Sequence, residues 1–95
     1  MENKKLISVI IPSFNEGENV GAIYKEITEF MNGYNYEIIY INDGSKDDSW
    51  EKITRLSEKD KRIKGVNFSR NFGHQAAIEA GLKKAKGDAV IMMDG

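Results

Sequence analysis

The chain has 95 residues, of which 31% are charged, with a formal net charge of −1 and no cysteine. This length suits one small domain. The balanced charge excludes the basic excess of a nucleic-acid-binding protein, so no nucleic acid partner is expected. The missing cysteines exclude disulfides and thiolate metal sites. The apolar runs are far shorter than the roughly twenty residues that cross a membrane, so we expect the chain as given to be cytoplasmic.

Four apolar runs of β-type composition predict strands, at residues 6–12, 36–43, 62–69 and 88–94. The first, second and fourth runs are nearly continuous in valine, isoleucine and methionine, which is typical of strands covered on both faces. The third run alternates more and contains Gly65, which favours a place nearer the edge of a sheet.

Three helical patterns separate these strands, at residues 15–33, 45–60 and 73–87. The order β-α-β-α-β-α-β, with helices of ten to fifteen residues, predicts right-handed crossovers. The predicted fold class is therefore α/β, with an open, mostly parallel sheet.

The helix starts and inner faces can be predicted from spacing. Asn15 followed by Glu18 resembles a capping box, and Ser45 followed by Asp48 resembles a second one. The apolar stripes at helical spacing predict inward-facing side chains, among them Phe30 in the first helix and Leu82 in the third.

Ligands of open α/β sheets bind beyond the carboxyl ends of the strands. In this chain those ends are the segments "PSFNEGE", "NDGSKDD", "SRNFGHQ" and "MDG". They hold most of the polar residues that a scaffold alone would not need. We therefore expect the functional residues to lie in these four segments.

The first segment follows strand one. Pro12 lacks an N–H, so it is predicted to end the sheet ladder there. Phe14 can give a base or a sugar an apolar wall. Asn15 and Glu16 precede a helix, where ordinary capping is the alternative to a binding role.

The other three segments carry charged candidates. Asp43 can accept hydrogen bonds from a base imide or a ribose hydroxyl, or it can form an Asx turn with Gly44. Arg70, just before a helix, favours an anion such as phosphate, whereas a structural role is favoured for His74. Asp94 suits Mg²⁺ or Mn²⁺, although one carboxylate is rarely enough to hold such a cation.

Together these segments resemble a known family. "SVIIPSFNEGENV", "YEIIYINDGSKDDSW" and "SRNFGHQAAIEAGLKKAKGDAVIMMDG" are similar to the N-terminal half of a family-2 glycosyltransferase domain of the GT-A (Rossmann-like) fold. The similarity is greatest to the bactoprenol (undecaprenyl-phosphate) glucosyltransferases and the dolichyl-phosphate mannosyltransferases. It extends from about Leu6 to the last residue.

The resemblance implies a role for each matching residue. It makes Glu16 a neighbour of the ribose and Asp43 the reader of the base, expected to be uracil. Asp94 would be the first acid of the D-x-D motif, and so both the catalytic and the metal-binding residue, holding Mg²⁺ or Mn²⁺. The implied nucleotide-binding residues are Pro12, Phe14, Asn15, Glu16, Asp43 and Arg70.

The resemblance also implies a reaction. A hexose, expected to be glucose, would move from a UDP-sugar rather than a GDP-sugar to a polyprenyl phosphate at the cytoplasmic face of the cell membrane. Because the chain stops at Gly95, before the second acid, we expect residues 1–95 to be the nucleotide-binding half of one domain, inactive alone. An incomplete sheet would expose an edge, which favours self-association of this fragment.

Three other interpretations stay open from the residues themselves. A Rossmann NAD-binding domain would use an acid after strand two, but the G-x-G-x-x-G turn is missing. A flavodoxin-like or receiver-like domain would need an acidic pair after strand one, which "NE" fits poorly. A plain scaffold, with its loop acids acting only as caps, is the third.

Overall fold

The computed structural model describes residues 5–15 and 17–93. Strands and helices alternate along them as predicted, with boundaries that differ by a few residues from the sequence pattern. The elements are β1 (Leu6–Ser13), α1 (Gly17–Phe30), β2 (Asn35–Asn42), α2 (Ser49–Lys59), β3 (Ile63–Asn67), α3 (His74–Lys84) and β4 (Ala89–Met92). No helix in this part of the chain is long and apolar enough to span a bilayer.

The four strands form one sheet in the order β3-β2-β1-β4, and all three pairings are parallel. The predicted open parallel sheet is therefore confirmed. All carboxyl ends lie at the same edge of the sheet. The chain moves outward from β1 through β2 to β3 and then returns to the other side of β1, which is the topology that opens a ligand crevice at that edge.

Helices cover both faces of the central strands. Alternate residues of β1 and β2 point to opposite faces, which is why both strands read as continuous apolar runs. The face under α1 and α2 has a core of Val9, Ile11, Val20, Ile27, Met31, Tyr36, Ile38, Tyr40, Ile53 and Ile63. The face under α3 has a smaller core of Ile10, Ile39, Ile41 and Ala77.

Strand β4 is the exception to the prediction that three strands are covered on both faces. Val90, Ile91 and Met92 are 40%, 37% and 49% exposed. β4 lies at an edge of the sheet, and its only partner in the described chain is β1. Composition makes β4 look like β1, but composition does not reveal strand order. The edge position favoured for the third strand is correct.

Two predicted inward residues face outward. Phe30 is 77% exposed because the buried stripe at this end of α1 passes through Ile27 and Met31, and Phe30 lies about 100° away from Met31. Leu82 is 45% exposed. Helix α3 approaches the sheet through Gly81, where an added Cβ would lie 2.5 Å from the Cγ2 atom of Ile10. Leu82 follows Gly81 and is rotated about 100° away from that contact.

The predicted N-caps are also wrong, and the structure gives these residues another use. α1 begins at Gly17 and α2 at Ser49, later than the capping boxes predicted. The backbone N–H of Asn15 donates to the Ser45 hydroxyl at 2.8 Å. The Asn15 side-chain oxygen accepts the backbone N–H of Lys46, also at 2.8 Å. The loops after β1 and β2 are therefore joined directly.

A buried carboxylate stiffens the opposite end of the sheet. Glu37 is 4% exposed and accepts hydrogen bonds from the Lys64 ammonium, the Lys86 backbone and the Ser8 hydroxyl. Burial by itself would raise the pKa of Glu37, but these three donors outweigh it and lower that pKa. The Ser8 hydroxyl in turn accepts the N–H of Gly87 at 2.8 Å. The turn before β4 is thereby tied to β1 and β2.

A second cluster closes the same end between α1 and β3. The Asp60 carboxylate accepts two hydrogen bonds from the Arg62 guanidinium, at 2.9 and 2.7 Å, and one from the Tyr24 hydroxyl at 2.8 Å. The guanidinium also stacks on the ring of Tyr36, 4.5 Å from its centroid. The bonds from Arg62 hold the pKa of Asp60 well below its ordinary value.

Candidate functional site

A pocket of about 640 Å³ opens at the carboxyl ends of β2 and β3. We call it the strand-end pocket. The loops after β1, β2 and β3 form its sides, and the first turn of α2 closes one end. Its lining consists of Phe14, Asn42, Gly44, Ser45, Lys46, Trp50, Asn67, Phe68, Ser69, Arg70 and Asn71. The pocket is where the topology predicts a ligand.

Aromatic rings form part of the lining. Phe14 and Trp50 contribute from the loop after β1 and from α2, and Phe68 contributes from the end of β3. Phe68 meets Phe72 edge to face, with ring centroids 5.5 Å apart, which fixes the orientation of Phe68. Flat apolar surfaces around a space of this size suit a planar ring such as a nucleobase.

Two cationic side chains, Lys46 and Arg70, also line the pocket. The Arg70 guanidinium lies over the ring of Phe72, 4.7 Å from its centroid. Within the described chain neither side chain has a carboxylate partner, so their charge is available to an anionic ligand. A guanidinium is well suited to binding phosphate oxygens.

Asp43 organises the loop that carries Arg70. It is 4% exposed, and its carboxylate accepts the backbone N–H groups of Phe72 at 2.8 Å and of Gly73 at 3.2 Å. The Asn71 amide adds a third hydrogen bond at 3.3 Å. These groups lie just before α3, where the helix dipole also favours a negative charge. Asp43 therefore borders the pocket but directs its carboxylate to this loop.

The contact between the second and third loops requires a glycine. Gly44 has φ of +72°, and an added Cβ would lie 2.2 Å from the carbonyl carbon of Arg70 and 2.3 Å from the nitrogen of Asn71. Such distances are impossible without moving backbone. The absence of a side chain at Gly44 thus lets the Arg70 loop close against the β2 loop.

The other residues that the sequence predicts to bind nucleotide or metal are Pro12, Asn15, Glu16 and Asp94. The prediction that Pro12 ends the sheet ladder is wrong. β1 continues to Ser13, and the carbonyl of Ser13 accepts the N–H of Asp43. Neither Pro12 nor Asn15 lines the pocket, and the Asn15 oxygen is engaged by Lys46. Glu16 and Asp94 lie outside the described residues. Of the predicted nucleotide-binding residues, the structure brings Phe14 and Arg70 together at the pocket, with Asp43 and Asn15 supporting its loops.

Several pocket residues were missed from the sequence. Lys46 falls in the helical pattern at residues 45–60, which gives it no binding role. Trp50 packs against the core, as its helical spacing predicts, and also lines the pocket. Asn67 was treated as part of a strand, although Asn42 was noted as a polar residue at a strand end. Aligning the carboxyl ends of the strands would have found the pair, because Asn42 and Asn67 are the last residues of β2 and β3.

The described residues hold no group of three or more histidine, cysteine, aspartate or glutamate side chains that could bind a metal ion. Asp94, the predicted metal ligand, lies outside the described residues, so its role as a ligand stays a prediction. The acids nearest the pocket have other partners. Asp47 accepts the N–H of Gly17 and two hydrogen bonds from Ser49, and these bonds lower its pKa.

Comparison with protein families and curated sequences gives a consistent result. Residues 8–95 match the model of glycosyl transferase family 2. The Bacillus subtilis (strain 168) protein CsbB, named as a glycosyltransferase, is 53% identical over 91 residues, which are 94% of this chain and 28% of that protein. The bactoprenol glucosyl transferase of Shigella phage SfV is 44% identical over 90 residues, 93% of this chain and 29% of that protein. The chain thus spans less than a third of these relatives.

Solved structures share the fold. The mannosyltransferase PcManGT from Pyrobaculum calidifontis, in complex with GDP-Man and Mn²⁺, superimposes with a TM-score of 0.84 at 21% identity, over 97% of this chain and 28% of that one. The glucosyl-3-phosphoglycerate synthase of Mycobacterium tuberculosis, in complex with Mn²⁺, UDP and glucosyl-3-phosphoglycerate, gives a TM-score of 0.76 at 23% identity, over 95% and 33%. The fold is the Rossmann-like GT-A fold of glycosyltransferases.

Proposed function

This chain belongs to glycosyl transferase family 2, and from that premise we propose that its protein transfers glucose from UDP-glucose to a polyprenyl phosphate. Membership of this family decides against the dehydrogenase and receiver alternatives. Because the chain covers only 28–29% of its named relatives, donor, acceptor and location are all proposals for the whole protein. We place the reaction at the cytoplasmic face of the cell membrane, where a polyprenyl phosphate acceptor meets a cytoplasmic nucleotide sugar.

The strand-end pocket is the observation that carries the donor part of the proposal. Aromatic walls and two cations that have no carboxylate partner among the described residues surround a space of about 640 Å³ at the carboxyl ends of parallel strands. A nucleoside diphosphate has the matching chemistry, with a planar ring at one end and negative charge at the other. We favour glucose because the relatives named bactoprenol glucosyl transferase are 43–44% identical over some 90 residues. We favour UDP as its carrier because the glucosyl-3-phosphoglycerate synthase complex holds UDP.

Each candidate residue then has a role. Phe14 packs against the base or ribose, and Arg70 binds the diphosphate. Asp43 reads the base or, as its present bonds favour, holds the Arg70 loop. Asn15 joins the first two loops. Pro12 does not line the pocket, and its proposed role is to stiffen the end of β1 before Phe14. Glu16 is proposed to lie beside the ribose.

We further propose that Asp94 binds Mg²⁺ or Mn²⁺. Mn²⁺ accompanies the nucleotide in both solved complexes described above. A divalent cation there would neutralise charge on the leaving diphosphate. In the transfer itself, a phosphate oxygen of the acceptor bonds to the anomeric carbon while the bond from that carbon to the UDP oxygen breaks. The 95 residues alone are expected to bind nucleotide weakly and to transfer no sugar.

Calorimetric titration of UDP, GDP and NAD⁺ tests the proposal. We expect saturable UDP binding that Arg70→Ala weakens about tenfold, the loss of one charged hydrogen bond. Arg55→Ala is the matched control, since Arg55 lies on the exposed side of α2 and pairs only with Glu51. Failure to bind either UDP or GDP would contradict the proposal, as would NAD⁺ binding in their place.

The acceptor part is tested separately, by incorporation of labelled glucose from UDP-glucose into lipid. We expect label in the polyprenyl phosphate fraction of membranes that contain the full-length protein. Transfer of label only to a water-soluble acceptor would contradict the lipid assignment. Transfer by the 95 residues alone would contradict the expectation that they are inactive.

A further inference from the structure

Three polar residues form a row across the sheet at the strand-end pocket. Ser13 pairs in register with Asn42, and Asn42 pairs in register with Asn67. They are the last residues of β1, β2 and β3, and neighbours in register point to the same face of a sheet. The preceding positions on that face are apolar, so the row is an abrupt change from core to hydrogen-bonding groups.

Asn42, which is buried, orients Asn67, which is exposed. Asn42 is 2% exposed, and its Nδ2 donates to the Oδ1 atom of Asn67 at 2.8 Å. Asn67 is exposed and lines the pocket. Because its oxygen is committed to Asn42, the group that Asn67 can offer a ligand is its Nδ2, which carries two N–H donors. No described residue accepts from that nitrogen.

The rest of the row has unused hydrogen-bonding capacity. The Oδ1 atom of Asn42 and the hydroxyl of Ser13 are buried, and neither has a hydrogen-bond partner among the residues that the structure describes. A buried polar atom without a partner costs about 1–3 kcal/mol of stability. Both atoms are thus unfavourable for the fold as it stands, and one of them belongs to Asn42, which lines the strand-end pocket.

We propose that the Asn42–Asn67 amide pair selects the nucleobase of the sugar donor. Asn67 donates to a ring carbonyl oxygen, and the unpartnered acceptor of Asn42, with the Ser13 hydroxyl beside it, completes the site for the adjacent ring N–H. A carbonyl next to an N–H is the lactam edge of uracil and guanine. This inference rests on the proposed function, since it assumes that the strand-end pocket takes the base.

The same geometry rejects the other two common bases. Cytosine and adenine present an amino group where uracil and guanine have the carbonyl, so a donor would face the Asn67 donors. Their ring nitrogen is an acceptor and would face the Asn42 oxygen. Rotating one amide alone would lose the hydrogen bond between Asn42 and Asn67. Rotating both together would keep that bond but exchange the donor and the acceptor, so binding of CDP in preference to UDP would also overturn the inference.

The test compares UDP with CDP, which differ at this edge and share the same diphosphate. Asn67→Asp keeps the oxygen that Asn42 needs and replaces the donor by an acceptor. We expect the ratio of UDP to CDP affinity to fall at least about tenfold, the value of one hydrogen bond to the base. Any repulsion between the new charge and the diphosphate acts on both nucleotides and cancels in the ratio.

Two further variants complete the design. Asn67→Ala removes the donor without adding charge and should bring the ratio towards one. Asn35→Asp adds the same charge at the start of β2, at the far end of the sheet, and should leave the ratio unchanged. Thermal unfolding of each variant shows whether it is folded at the temperature of titration.

The outcomes are distinct. A lower ratio in both Asn67 variants, with Asn35→Asp unchanged, supports base selection. UDP binding with a ratio that no Asn67 variant alters overturns the inference and leaves the proposed function standing, with the row then serving only to hold water. A wild-type protein that binds UDP and CDP equally also overturns it. Binding of no nucleotide overturns the proposed function and this inference together.

Discussion

The Oδ1 atom of Asp43 accepts a hydrogen bond from the backbone N–H of Phe72, with 2.8 Å between the oxygen and the nitrogen. This bond joins the end of β2 to the loop before α3. The Arg70 guanidinium in turn rests on the Phe72 ring, so a carboxylate on one loop sets the position of a cation on the next. Asp43 influences the pocket through this arrangement whether or not it touches a ligand.

Asp43→Asn should therefore destabilise the protein and weaken UDP binding. An amide offers one acceptor oxygen where the carboxylate offers two, and its NH₂ group would face backbone donors. We expect the free energy of unfolding to fall by about 1–3 kcal/mol, measured by urea denaturation. Asp48→Asn is the control, since Asp48 is exposed and makes no side-chain cap bond, and we expect a change within about 0.5 kcal/mol. Lost UDP binding with unchanged stability would instead mean that Asp43 contacts the nucleotide directly.

Gly44→Ala should disrupt the contact between the second and third loops. Its φ of +72° costs an alanine about 1–2 kcal/mol, and the clash with the Arg70 backbone adds to that. Gly33→Ala is a matched control, because Gly33 has φ of +93° with no atom within 4 Å of an added Cβ. The difference in unfolding free energy between the two variants isolates the loop contact. Equal values would show that the Arg70 loop yields to the methyl group at no cost.

Two substitutions at Asn15 separate the stability effect of its side-chain hydrogen bond from that of its positive φ. Asn15 has φ of +52°, which asparagine and glycine tolerate better than alanine. Asn15→Gly removes only the hydrogen bond to Lys46 and should cost about 0.5–1.5 kcal/mol. Asn15→Ala should cost about 1 kcal/mol more because of the positive φ. Denaturation curves of both variants test this, and an alanine variant as stable as the glycine variant would contradict it.

Stability should depend on pH through Asp60. Hydrogen bonds from Arg62 hold the pKa of Asp60 below its ordinary value, so the folded protein keeps this carboxylate ionised where the unfolded chain would bind a proton. Its contribution is complete above the unfolded pKa of about 4 and falls as the pH drops below that value. Asp60→Asn should cost about 1.5–3 kcal/mol at pH 7, and the difference from wild type should shrink below about pH 4.

Urea denaturation of wild type and Asp60→Asn between pH 7 and pH 3 measures that effect. Glu58→Gln removes an exposed carboxylate from the last turn of α2, which Asp60 follows, and should leave the difference between wild type and Asp60→Asn unchanged. A difference between wild type and Asp60→Asn that stays constant down to pH 3 would show that the Asp60 bonds do not depend on its charge.

The periodicity of the sequence was sufficient to predict the alternating elements and the parallel sheet. β1 and β2 are buried on both faces, and their unbroken apolar runs follow from that burial. β4 has the same composition but lies exposed at an edge of the described sheet, because strand order depends on which crossover returns across β1. No local pattern in residues 88–94 contains that information.

The site was predicted in part for a related reason. Phe14 and Arg70 stand out because an aromatic ring and a cation at strand ends have few structural uses. Asn15 and Ser45 were misassigned as caps because each has the residue type that caps favour, whereas the fold pairs them with the neighbouring loop. The Asn42–Asn67 pair was invisible until β2 and β3 were in register.

The tie between Ser8 and Gly87 has a consequence for how the chain folds. These residues are 79 positions apart, whereas Ser8 and its other partner Glu37 are only 29 apart. Closing the longer loop costs more chain entropy, so β1, α1 and β2 can assemble while the last strand is still unpaired. During synthesis, the edge of β1 that pairs with β4 would therefore stay unpaired until residues 89–92 had left the ribosome. We expect amide protons of β4 in this 95-residue chain to exchange with solvent well before those of β2, because β4 is exposed and pairs only with β1 among the described strands.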